Sequence, residues 1–199
     1  MIKKARLLFC VLILGVAQLG ADANQPQPRE LPRQFQQAWL GMTMPELIGL
    51  QPNIAVTKRT NFATVTLIAN PQDRYIQRIV YRFHENVLYE IETRYRPDRL
   101  PQGASGLLPR LKQEYGPPTS DRENELDEAR TGIIRRRTIW QDAKTKIMLL
   151  EREYLRDGNN VTEITLTMSD LLLQHRRDEA QDKQVNHKLE EVPIPHVKT

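Results

Sequence analysis

Between residues 61 and 95 apolar side chains recur at nearly every second position, the period of a half-buried strand. Phe62, Val65, Leu67 and Ile68 mark a strand over 61–69, and Ile79, Tyr81 and Phe83 mark one over 77–84. Val87, Tyr89, Ile91, Thr93 and Tyr95 mark a third over 87–95. The pattern also selects a register for the last two. A three-residue loop, Glu85 to Val87, sets Phe83 against Tyr89, Tyr81 against Ile91 and Ile79 against Thr93, with Arg82 facing Glu90 on the other side. A two-residue loop would oppose the apolar face with Leu88, Glu90 and Glu92. Asn86 is the residue expected at positive φ.

Period two returns over 131–141, 146–155 and 161–168, with turns at Asp142 to Thr145 and Asp157 to Asn160. A three-residue loop again fits, pairing Trp140 with Met148 and Ile134 with Tyr154, and Arg137 with Glu151 and Arg135 with Glu153 on the opposite face. It leaves Arg136 facing Arg152 on the apolar side, a like-charge pair that the pattern does not explain. Residues 119–130 are polar and acidic and read as an exposed loop.

Each set of strands follows a helical signal. Thr43-Met44-Pro45-Glu46 has capping-box spacing with proline in the first turn, which predicts a helix over 44–50 stopped by Pro52. Leu107, Leu111 and Tyr115 recur at helical spacing ahead of Gly116-Pro117-Pro118, and Pro109 limits how early that helix starts. Residues 41–95 and 106–168 thus share one plan, a short helix and then three antiparallel strands. The fold class expected is α+β, in tandem helix-plus-antiparallel-meander units: 35–96 first, 97–169 second. A charged helix over 170–183 follows, docking through Leu171, Leu172 and Leu173, and then a disordered tail over 184–199.

The first residues change the picture of the 199-residue chain. Lys3, Lys4 and Arg6, the apolar run Leu7 to Val16 and Ala21-Asp22-Ala23 read as a cleavable signal peptide over 1–23, too short to span a bilayer. Residues 24–34, rich in proline and glutamine, read as a linker that packs no core. Removing 1–23 takes three cations and one acid, so the formal net charge falls from +4 to +2. That leaves little whole-molecule attraction for nucleic acid or anionic lipid. Cys10, the only cysteine, leaves with the signal, and with it any disulfide or thiolate chemistry. Cys10 follows Phe9 inside the apolar run, so it is no lipid-attachment site. The localisation expected is periplasmic or extracellular, soluble after cleavage.

Chemical candidates do not converge. His84, His175, His187 and His196 lie on a strand end, a charged helix and the tail, without metal-ligand spacing. Ser120 lies in no nucleophile elbow, and Ser105 and Ser169 read as helix caps. Glu90 with Glu92, and Glu151 with Glu153, share strand faces as an acid/base pair would, but arginines across the strands make them solvated ion pairs. Arg135-Arg136-Arg137 near Trp140 invites a nucleic-acid or glycan reading, yet neighbours on a strand point to opposite faces. Asp157-Gly158-Asn159-Asn160 reads as a hairpin turn rather than a calcium loop. No catalytic, cofactor-binding or metal residue is therefore named, and no cofactor is expected.

Leu40-Gly41-Met42-Thr43-Met44-Pro45-Glu46-Leu47 resembles the opening of small envelope proteins of the SmpA/OmlA (outer-membrane assembly lipoprotein) type. The tandem plan is similar to the β-lactamase-inhibitor-protein architecture. The resemblance implies a non-enzymatic accessory or inhibitor-like factor of the cell envelope that binds another envelope protein through a sheet face. A carrier of a small hydrophobic or anionic ligand, held in a cleft between the two units, is the alternative.

Overall fold

The computed structural model describes residues 30–59, 63–124 and 134–190. The expected signal peptide and residues 24–29 of the linker lie outside these. Thr43 opens helix α1 (Met44–Leu50) with its capping box in place: Glu46 accepts from the Thr43 N–H at 2.6 Å and from its hydroxyl at 2.8 Å. The preceding residues dock on a hairpin. Gly41, at φ +95°, donates to the Leu88 carbonyl, and the Met42 carbonyl accepts from the Leu88 N–H. A glycine suits that left-handed backbone. The eight residues of the opening motif thus fasten α1 to the sheet.

Strands β3 (Ala55–Arg59), β4 (Thr64–Ala69), β5 (Ile76–His84) and β6 (Val87–Tyr95) form one antiparallel run, and a second follows helix α2 (Gly103–Tyr115). It comprises β7 (Ser120–Asn124), β8 (Ile134–Gln141), β9 (Thr145–Arg156) and β10 (Asn159–Asp170). The last strands of the two runs pair with each other, giving a single eight-stranded sheet in the order β3-β4-β5-β6-β10-β9-β8-β7. The protein is α+β with an antiparallel sheet. Each run has four strands rather than the expected three. The two additional ones, β3 and β7, are the sheet's edges, and β7 forms within the polar stretch that read as a loop. Edge strands need no apolar face on both sides, and charge on them discourages further pairing.

The β5–β6 hairpin keeps the expected pairs Ile79–Thr93, Tyr81–Ile91 and Arg82–Glu90, but a bulge at Tyr89 follows, so that Phe83 faces Leu88 and His84 faces Val87. The loop therefore has two residues, Glu85 and Asn86, both at positive φ, as a tight hairpin turn requires. A bulge lets a two-residue loop coexist with a register that loop length alone assigns to three.

For β8–β9 the expected register is off by one. The Asp142 carboxylate accepts the Lys144 and Thr145 N–H groups at 2.8 and 2.6 Å, closing the turn on Ala143 and Lys144. Trp140 then faces Ile147, Arg136 faces Glu151, Arg135 faces Arg152 and Ile134 faces Glu153. The like-charge pair moves from Arg136 to Arg135, onto the opposite face.

One apolar cluster runs beneath α1 and α2, joining Leu47, Leu111 and Tyr115 to Leu67, Tyr81, Phe83, Ile91, Trp140, Ile147, Ile164 and Leu166. Trp140 meets Tyr115 edge-to-face at 5.6 Å and donates to the Gly116 carbonyl that ends α2. Leu31 joins the core, its N–H bonded to Asp142, and Arg33 pairs with Asp170, so the chain is part of the fold from Leu31 rather than a linker. Phe35 and Ala38 pair within a short ribbon, β1 (Gln34–Phe35) with β2 (Ala38–Trp39). Helix α3 (Leu171–Glu190) runs beyond the expected end at 183; residues 191–199 lie outside the described ones. Asp170, not Ser169, caps it, accepting from the Leu173 N–H at 2.9 Å.

Candidate functional site

The face of the sheet turned away from α1 and α2 mixes charged and polar strand positions with a few apolar ones, and the register arranges them in rows. One row runs Arg78, Arg94, Thr165, Leu150, Arg137 across β5, β6, β10, β9 and β8. Its neighbour runs Glu163, Arg152, Arg135. On the other side lies Val80, Glu92, Thr167, Met148, Ile139, and then Arg82, Glu90, Ser169, Lys146. Arg78 faces Arg94 and Arg135 faces Arg152 directly, pairings that destabilise a sheet unless something offsets them.

Carboxylates tie down part of this charge. Arg82 bridges Glu90 and Glu92, Arg94 Nε reaches Glu92 at 2.6 Å, and Tyr154 donates to Glu163 at 3.0 Å. Burial pushes the Glu92 carboxyl up, but hydrogen bonds from Arg94 and Arg82 outweigh it and hold Glu92 below its ordinary range. Arg78, Arg137 and Arg152 form no ion pair with described residues. The Nε atoms of Arg78 and Arg137 are buried without a hydrogen-bond partner among those residues. Helix α3 covers one end of the face, with Arg177 5.1 Å over the Tyr89 ring. Beside it a groove of about 380 Å³ is lined by Arg94, Arg152, Glu163 and Thr165 among others.

On the helix side a second recess, of about 730 Å³, lies between the first strand run and α2. Phe35, Ile76, Tyr95, Leu107, Leu111 and Tyr115 form its walls, and Asp73, Arg110 and Glu114 stand at its charged positions. Burial pushes the Tyr95 phenol up to about 12, with Asp73 and Glu114 adding to the rise and Arg110 opposing it. Burial likewise raises Tyr115.

The residues singled out from sequence fall as follows. The Arg135 triplet is split: Arg135 and Arg137 lie on the open face, while Arg136 sits on the helix side, bonded to Glu151 at 3.1 Å and Glu153 at 2.6 Å. These glutamates pair with Arg136, not with Arg137 and Arg135 as the expected register had it. Trp140 is buried in the core and takes no part in a surface patch. His84 is buried at the end of β5, His175 lies 3.2 Å from Glu179 on α3, the His187 side chain lies outside the described residues, and so does His196. Ser105 donates to the Gln102 carbonyl inside α2's first turn, and Ser169 is buried beside Glu90. Ser120 lies on edge strand β7, and Asp157-Gly158 forms a hairpin turn. Among the described residues no cluster of His, Asp or Glu could hold a metal ion, and no helix is long and apolar enough to cross a membrane.

Residues 33–171 match the TP0088 domain. The chain belongs to the TP0088 domain family. The matched span opens at Arg33 and closes at the first residue of α3, so the family unit is the whole eight-stranded sheet with α1 and α2, and nearly all of α3 lies outside it. No curated protein and no solved structure matches the chain. Within the TP0088 unit, sequence reading missed the arginine face because its arginines come from four strands. The signal present in the chain was local: Arg78 and Arg82, or Arg135 and Arg137, at even spacing on one strand.

Proposed function

We propose that this protein is a non-enzymatic binding factor of the cell envelope that docks an acidic segment of a partner protein on the open face of its sheet. The observation that carries the reading is the Arg78–Arg94 register, together with Arg137 and Arg152, which form no ion pair with described residues, on a face not covered by α1 or α2. Opposed like charges cost stability in the free protein, and a carboxylate between them reverses that sign. Arginine suits the task, since its planar fork holds a carboxylate in two hydrogen bonds. Interleaved Thr165, Thr167, Leu150 and Met148 fit a polypeptide better than a bare polyanion. Of the aromatic side chains on this face, Tyr89 is buried and the Tyr154 hydroxyl is bound to Glu163.

The same proposal reads the two helix-and-meander runs as a duplication with β-lactamase-inhibitor-protein-like architecture. The support is that each run has one helix followed by four strands, and that their last strands pair antiparallel. It also takes residues 1–23 as an export signal. Binding rather than hydrolysis is favoured because Glu90, Glu92, Glu151 and Glu153 are each held by arginine.

Fluorescence anisotropy with a labelled ten-residue glutamate peptide tests the docking face. Binding should weaken steeply with salt and fall at least tenfold, about 1.4 kcal/mol, in Arg137→Glu/Arg152→Glu. Lys112→Glu/Arg99→Glu, with the same charge change elsewhere, should bind nearly as the parent does. Equal loss in both double variants, or sedimentation with phosphatidylglycerol vesicles in place of peptide binding, sinks the reading.

A further inference from the structure

We infer that the recess between the first strand run and α2 is a second binding site, for an uncharged, largely aromatic small molecule. Its volume of about 730 Å³ falls in the range of small-molecule sites, roughly 300–1,000 Å³. The walls supply what such a ligand needs. Phe35 comes from β1, Ile76 and Tyr95 from the first strand run, and Leu107 and Tyr115 from α2, so the site exists only where the two runs and the N-terminal ribbon meet.

Charge decides the ligand class. Asp73 and Glu114 outnumber Arg110 around the recess, and both carboxylates act on the Tyr95 phenol strongly enough to oppose its ionisation. An anionic ligand would bring a third negative charge into an apolar setting where unpaired charge is expensive. The Tyr95 phenol remains protonated at neutral pH and can donate one hydrogen bond, which orients a neutral ligand carrying an acceptor, while the Tyr115 phenol is engaged by Glu114. Asp73 is already engaged, accepting from the Tyr75 N–H at 2.7 Å and the Ile76 N–H at 3.2 Å, so it holds the rim of the recess in place.

Two probes with the same ring system separate these possibilities: neutral N-phenyl-1-naphthylamine, and 8-anilinonaphthalene-1-sulfonate, which adds one negative charge. Titrated into the full chain, the neutral probe should bind saturably, with one site and roughly tenfold tighter than the sulfonate. Leu107→Trp, which fills the recess, should weaken the neutral probe at least tenfold while leaving acidic-peptide binding on the other face intact. Glu114→Gln, at an exposed position, should narrow the gap between the two probes. Far-UV circular dichroism on each variant confirms folding. No saturable binding of the neutral probe, equal or tighter binding of the sulfonate, or indifference to both substitutions overturns the inference. Loss of peptide binding alone leaves it standing.

Discussion

Glu92 is the residue on which the open face's electrostatics turn. It is 8% exposed, yet it accepts from both Arg82 and Arg94, and Arg94 in turn faces Arg78 across β5. Glu92→Gln keeps the shape but leaves two half-buried guanidiniums short of a counter-charge. Removing one partner of a buried pair costs several kcal/mol, and the partial exposure of both arginines reduces that to about 1–2 kcal/mol. The pH sign follows from the direction of the shift. A carboxyl held below its ordinary range in the folded state binds its proton more weakly there than in the unfolded chain. Its contribution is therefore present above the ordinary carboxyl value, about 4.3, and is lost as pH falls through the lower folded value. Urea unfolding from pH 7 down to pH 3 should show the parent losing more stability than Glu92→Gln. Parallel curves would remove Glu92 as the pinning residue.

Among the elements, α2 departs furthest from local preference, carrying Gly103, Gly106 and Pro109 within its residues. Pro109 denies one hydrogen bond to the turn before it. Gly106 has a packing reason: a Cβ there would lie 2.1 Å from the Pro101 carbonyl oxygen, inside any allowed contact. Gly106→Ala should therefore lower stability by about 2–3 kcal/mol, as overpacking against backbone does. In α1, Gly49 meets nothing within 4 Å, so Gly49→Ala should raise stability by about 0.5–1 kcal/mol through helix preference. Chemical denaturation of both variants checks the opposite signs. The close approach at Gly106 was not legible in sequence, because Pro101 reaches it through the turn that precedes α2. The capping box of α1 was legible in full, since all its atoms lie within four residues.

At the scale of the molecule, the pairing of β6 with β10 turns two strand runs into one sheet over one core. Leu166 and Met168 of the second run face Thr93 and Ile91 of the first, so neither run can open without exposing the other's apolar face. Unfolding should be a single cooperative transition. Native-state hydrogen exchange should give β6 and β10 amides the same opening free energy, while the edge strands β3 and β7 exchange through smaller openings. Two separate transitions for residues 44–95 and 103–170 would show the runs to be independent.

By itself the sequence determined the six inner strands, the start and stop of α1, the stop of α2 and the positive φ at Asn86. Alternation, caps and turn residues act over a few positions, and the energies that set them are local. Tertiary structure decided the edge strands, whose polar side chains carry no period that separates them from a loop. It drew Leu31 into the core, its N–H bonded to Asp142. It also assembled the arginine face and the aromatic recess from strands and helices far apart in sequence. Each of these depends on which strands become neighbours, and that choice minimises exposed apolar surface over the whole sheet rather than within any one segment.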